Sequence, residues 1–140
     1  MTIIINYWAV LASMVASVVL GFAWYGPFFG KKWIALSGIV MPDKKPAFSD
    51  MVKPMAMSLV GAFLMAFTLA HSIAFGNAFL GTDGIVGGLQ AAFWNWIGFV
   101  VPVNLSFVAW EGRSWTLFLI HSGYWLALLG IMATILSVWA

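Results

Sequence analysis

Five polar side chains stand inside stretches that are otherwise almost wholly apolar: His71, Gln90, Asn95, Asn104 and His121. A neutral imidazole in such a place has three uses. It can relay a proton, ligate a haem or pigment, or hold a hydrogen bond. The amides of Gln90, Asn95 and Asn104 can pair across helices or line a path for a small solute. Ligand sets for other chemistry are missing. The chain has no cysteine, no His-x-x-x-His and no His-Glu-x-x-His, so neither a structural zinc site nor a metalloprotease site is encoded. The four acidic residues lie between the apolar stretches, and Glu111 is spaced to pair with Arg113. Gly81-Thr82-Asp83-Gly84 reads as a turn, not as a phosphate cradle. No catalytic, cofactor-binding or metal-binding residue is assigned, and the chain is read as non-enzymatic.

The apolar stretches themselves set the architecture. Residues are 64% hydrophobic and 7% charged, against about 25% charged in a soluble domain. Residues 1–30, 54–82, 84–110 and 114–140 carry no Asp, Glu, Lys or Arg. About 20 apolar residues suffice for a helix to cross a hydrocarbon core. The expectation is an all-α integral membrane protein, with residues 1–140 forming a single four-helix transmembrane domain. The runs are continuous and not alternating, which disfavours barrel strands. The first run is too long for a signal peptide and has no basic region before it. Helices are expected at Asn6–Tyr25, Pro54–Phe75, Ile85–Phe107 and Trp115–Val138, with Pro54 in a first turn. A short interfacial helix is expected near Phe29–Leu36.

All six basic residues fall in two connections: Lys31, Lys32, Lys44, Lys45 and Lys53 in the first, Arg113 in the third. Basic loops stay cytoplasmic, so both termini are expected on the non-cytoplasmic side of a bacterial inner membrane. Trp24, Tyr25, Lys31, Lys32, Trp33, Trp110, Arg113 and Trp115 then become anchors at the inner interface, where amphipathic rings and long cations settle. Trp94, Trp96 and Trp125 lie too deep for that explanation. The histidines fall near opposite faces and cannot share one metal. The positive charge suits anionic lipid heads, and no extended basic face for nucleic acid exists.

Asn6-Tyr-Trp-Ala9, GFAWYGPFFGKKW (Gly21–Trp33), WIGFVVP (Trp96–Pro102) and WEGRSWTLFLIHSGYWL (Trp110–Leu126) occur in that order. Together they resemble a family of small bacterial membrane proteins catalogued as domain of unknown function 1761. The resemblance implies four membrane helices and no assigned activity.

Each helix also carries small residues three or four apart: Ser13, Ser17, Gly21; Ser58, Ala62, Ala66, Ala70; Gly87, Ala91, Asn95, Gly98; and Gly123, Ala127, Gly130, Thr134, Ser137. Such stripes let backbones approach closely in lipid. At about 100° per residue, His71, Asn104 and His121 point some 140–160° away from their stripes. Two pairings are expected, Asn104 with His121 across the last hairpin and His71 with Gln90. The same arithmetic predicts self-association, with a second copy covering the three outward polar groups. The expected partners are the lipid bilayer and either a second copy or another membrane protein. The function expected is a structural or binding role in a membrane assembly. A small-solute or proton transporter, and a haem or pigment binder, are the alternatives.

Overall fold

The computed structural model describes residues 2–139, and among them every regular element is helical. Helix α1 spans Tyr7–Ala23, α2 Gly30–Ser37, α3 Phe48–Phe75, α4 Gly84–Asn95, α5 Val101–Glu111 and α6 Trp115–Val138. Single π turns extend α1 through Trp24–Phe28, extend α3 through Gly76–Leu80, and join α4 to α5 through Trp96–Val100. The continuous helices Tyr7–Phe28, Phe48–Leu80, Gly84–Glu111 and Trp115–Val138 are each long and apolar enough to cross a membrane. The short α2 lies where a short helix is expected near Phe29–Leu36, and Lys31 and Lys32 are exposed on it.

Capping chemistry fixes the ends. The Asn6 side chain accepts from the N–H groups of Trp8 and Ala9, and Ser114 does the same for Thr116 and Leu117. Each satisfies two of the donors that a helix start leaves open. The predicted Trp115–Val138 is the observed α6. Helix α3 starts six residues before the expected Pro54, a correction with a clear cause. The Asp50 carboxylate accepts from the Ala47 N–H at 3.2 Å and holds an earlier first turn, so Pro54 lies inside the helix. Gly81 and Gly112 take φ of 66° and 63°. Both end their helices in the left-handed conformation that glycine adopts at least cost.

The π turns have a covalent cause in two cases. Pro27 lacks the N–H that would bond Ala23, and Phe29 N donates five residues back to Trp24 O at 2.8 Å instead. Pro102 follows the second such turn directly, where Val101 N–H donates to Trp96 O.

Helix α6 is the centre. It packs on α1, α2, α3, α4 and α5, and Leu117, Leu128 and Met132 on it are fully buried. Val10 of α1 and Leu69 of α3 complete the interior. The small-residue stripes are partly confirmed. Ser13, Ser17, Ala62, Ala66 and Gly87 are buried, but Ser58 and Gly98 are exposed. On α4 the buried line runs through Gly88 and Ala92 as well. The cap residue ahead of α1 closes the fold at one end, because Asn6 Nδ2 donates to Trp139 O at 2.8 Å.

The α4–α6 crossing depends on Gly88. A Cβ there would overlap Ser137 Oγ and stand 3.0 Å from Ala133 O. The serine can turn away, but the backbone carbonyl cannot. Gly88→Ala is therefore expected to destabilise the protein by about 1–3 kcal/mol through overpacking. Thermal unfolding of the detergent-solubilised protein, followed by circular dichroism, checks this; an unchanged midpoint would contradict the crossing.

Candidate functional site: a polar junction on helix α6

One turn of α6, Ile120–Tyr124, collects hydrogen bonds from three other segments. Trp24 Nε1–H donates to the Ile120 carbonyl at 3.0 Å. Trp96 Nε1–H donates to the Ser122 carbonyl at 2.8 Å. The Tyr25 hydroxyl meets His121 Nδ1 at 2.6 Å. Asn104 Nδ2 donates to Ser122 Oγ at 3.2 Å, and the Tyr124 hydroxyl donates to the Ser17 carbonyl at 3.4 Å. The rings interlock as well. Tyr25 stands edge-on to Trp33 and Tyr124, at centroid distances of 5.0 and 5.2 Å. Gly123 gives the Trp24 ring its seat, since a Cβ there would lie 3.3 Å from it.

The π turns place these donors. Trp24 and Tyr25 sit on the turn that ends α1, and Trp96 opens the turn between α4 and α5. One extra residue per π turn rotates everything beyond it by about 100°. From the buried Gly88–Ala92 line, an uninterrupted helix would put Asn104 about 140° away; the extra residue brings it to about 40°. Asn104 therefore faces α6 and not lipid.

Both expected pairings are corrected. Asn104 bonds Ser122, and His121 bonds Tyr25. His71 Nδ1 lies 2.8 Å from the Phe67 carbonyl of its own helix, with the Phe67 ring at 4.5 Å. It needs no partner from α4, and Gln90 is exposed. Gln90 instead shares a crevice of about 560 Å³ with Asn95, Ser72 and Trp94. Asn95 Nδ2 also donates back to the Ala91 carbonyl at 2.8 Å. His71, Asn104 and His121 are each half-buried with an intramolecular partner. They therefore supply no motive for self-association. For His121 the reason is geometric: α6 has neighbours on most sides, so a direction away from its small stripe still points into protein.

Several anchors also make contacts inside the chain: Trp24 and Tyr25 bond α6, and Trp33 packs on Tyr25. Trp110 and Trp115 are exposed, as an interfacial belt requires. Arg113 Nε donates to Glu111 at 3.2 Å, the expected loop pair. Ser122 and Tyr124 were not singled out from sequence, and Ser17 was read only as a small packing residue. The usable signal was Tyr124, whose hydroxyl lies deep in an apolar run and must find an acceptor.

Two hollows flank the junction. A cavity of about 260 Å³ between α5 and α6 is lined by Asn104, Arg113 and His121 on its polar side and by Phe107, Phe118 and Trp125 on its apolar side. A lateral groove of about 830 Å³ runs between α1, α3 and α6. Tyr25 lines the groove and His121 the cavity, so their hydrogen bond stands between the two. Among the described residues, no three His, Cys, Asp or Glu side chains gather as a metal site. The arrangement offers hydrogen-bond donors, one hydroxyl–imidazole pair and apolar walls.

A family model described as "protein of unknown function (DUF1761)" matches residues 8–137. No curated protein and no solved structure matches the chain.

The bonding pattern predicts which double-mutant cycles couple. Tyr25→Phe with His121→Leu should be non-additive, by about 0.6 kcal/mol and at most about 1.7. Asn104→Leu with His121→Leu should couple more weakly than the first pair, because the two side chains line one cavity but do not bond each other. Unfolding free energies of the three single and two double variants in detergent decide it; coupling in the second cycle and none in the first would restore the hairpin pairing.

Proposed function

The chain belongs to the DUF1761 family of proteins of unknown function, and from that premise we propose that it is a multi-pass, non-enzymatic protein of the bacterial cytoplasmic membrane. Its role is that of a component in a membrane assembly held together by helix packing. Its occupant for the lateral groove is a second copy of the same chain.

The observation that carries this reading is Gly61. It lies in the interior of α3, where glycine costs about 1 kcal/mol relative to alanine. Nothing of the chain lies within 4 Å of where its Cβ would stand. Gly88, by contrast, is needed by its own α6 neighbour. Gly61 is on the wall of the groove with Ser17, Gly21, Met57, Ser58 and Met65. Small residues expose backbone for close approach, and methionines adapt to an irregular surface. From Met57 to Met65 the wall runs for about 12 Å. The same surface on a second copy brings glycine against glycine around a two-fold axis, which closes the assembly.

The orientation supported is with both termini outside. Lys31, Lys32, Lys44, Lys45, Lys53 and Arg113 would then all lie in cytoplasmic loops. The Asn6–Trp139 bond holds the two chain ends at one end of the fold, as this orientation needs. The chain has no native cysteine, so single replacements report cleanly. In intact cells Asp83→Cys should react with an impermeant maleimide and Lys45→Cys should not; the reverse pattern would invert the topology.

Gly61→Leu separates assembly from folding. It fills open space, so the monomer's unfolding midpoint should not fall, whereas native mass spectrometry in mild detergent should show the oligomer lost. A strictly monomeric wild type, or an oligomer that survives Gly61→Leu, would remove the groove as the interface.

A further inference from the structure

The cavity between α5 and α6 has an inventory that selects a ligand. The Tyr25 hydroxyl and His121 Nδ1 lie 2.6 Å apart; with the phenol as donor, the proton of the neutral ring sits on Nε2. With Nδ1 committed to Tyr25, Nε2–H is the ring donor left for the cavity that His121 lines. Asn104 gives one amide hydrogen to Ser122 Oγ and keeps a second. Arg113 gives its Nε–H to Glu111 and keeps the terminal guanidinium donors. The polar side thus offers N–H donors around one cation, with the Asn104 carbonyl oxygen as an acceptor beside them and Glu111 as the competing anion. The other walls are Phe107, Phe118 and Trp125. The volume, about 260 Å³, equals roughly eight or nine water volumes. It takes a head group and a few carbons, while Val103 and Phe107 leave an exposed apolar surface on α5 for a longer tail.

We propose that this cavity binds the oxyanion head of an anionic amphiphile, with the head against Arg113, His121 and Asn104 and the chain along α5. A fatty-acid carboxylate and a phospholipid phosphate share this chemistry. The site does not depend on the groove at Gly61, and Gly61→Leu should leave it intact.

Isothermal titration of the full chain in neutral maltoside micelles tests the proposal, with protein-free micelles as the blank. The probes are decanoate, decan-1-ol and dihexanoyl phosphatidate. Decanoate should bind at least about tenfold more tightly than decan-1-ol, since a charge-assisted hydrogen bond is worth about tenfold or more. Arg113→Gln should remove about that factor. Glu111→Gln should tighten binding by about two- to fivefold, because it frees the guanidinium from an exposed ion pair. A gain of affinity cannot come from a misfolded variant. Tighter binding of the phosphatidate than of decanoate, with the same response to both variants, assigns the site to a phospholipid; the opposite order assigns it to free carboxylates. Equal binding of decanoate and decan-1-ol, or titrations unchanged in both variants, would overturn the proposal.

Discussion

Between helices surrounded by lipid there is no water to expel, so contact is worth only what close packing and hydrogen bonding return. Everything in this fold depends on how α6 meets that constraint. Close packing comes from glycines at its crossings: Gly88 beneath Ser137 and Ala133, Gly21 beside the Tyr124 hydroxyl, and Gly123 beneath Trp24. Hydrogen bonding comes from Trp24, Tyr25, Trp96 and Asn104, all delivered to one turn of α6. The carbonyls of Ile120 and Ser122 have a second lone pair each, so they accept an indole without giving up the helix. Four membrane-length helices of modest polarity are thereby tied to one axis.

The π turns make this possible and mark where the fold is specialised. Each rotates the chain beyond it, and two of them sit next to a proline that cannot continue the α pattern. The turn at Trp24–Phe28 aims both an indole and a phenol at α6 before the chain leaves for α2. The turn at Trp96–Val100 aims an indole and, two turns later, an amide. Such turns are frequent at functional sites, and here the hydrogen-bonded Tyr25–His121 pair lies between a groove and a cavity.

Much of the architecture was legible because charge is so sparse. The uncharged gaps set the number of membrane-length helices, and the expected start of the last one at Trp115 is the observed start of α6, which Ser114 caps. Pro54 misled, since a proline signals a first turn only when nothing upstream caps an earlier one, and Asp50 does. The polar residues were visible, but their partners were not. Angular arithmetic assumes an unbroken α-helix, and the π turn before Asn104 breaks it. The same arithmetic takes a small-residue stripe as the inward face, which fails for a helix with neighbours on most sides. Tyr25 was read by depth alone, and depth does not name a partner. Gly61 and Gly88 look alike in sequence; only the space around each tells a glycine used by its own chain from one left open.

That open glycine carries the central claim, that the face of α3 around Gly61 receives a second copy. Single cysteines in this cysteine-free chain test it most directly. Ser58→Cys lies on the groove wall, while Val60→Cys is exposed but absent from that wall. In native membranes treated with a mild oxidant, Ser58→Cys should yield a disulfide-linked dimer and Val60→Cys should remain monomeric. Equal crosslinking at both positions, or crosslinking at Val60→Cys alone, would contradict the account.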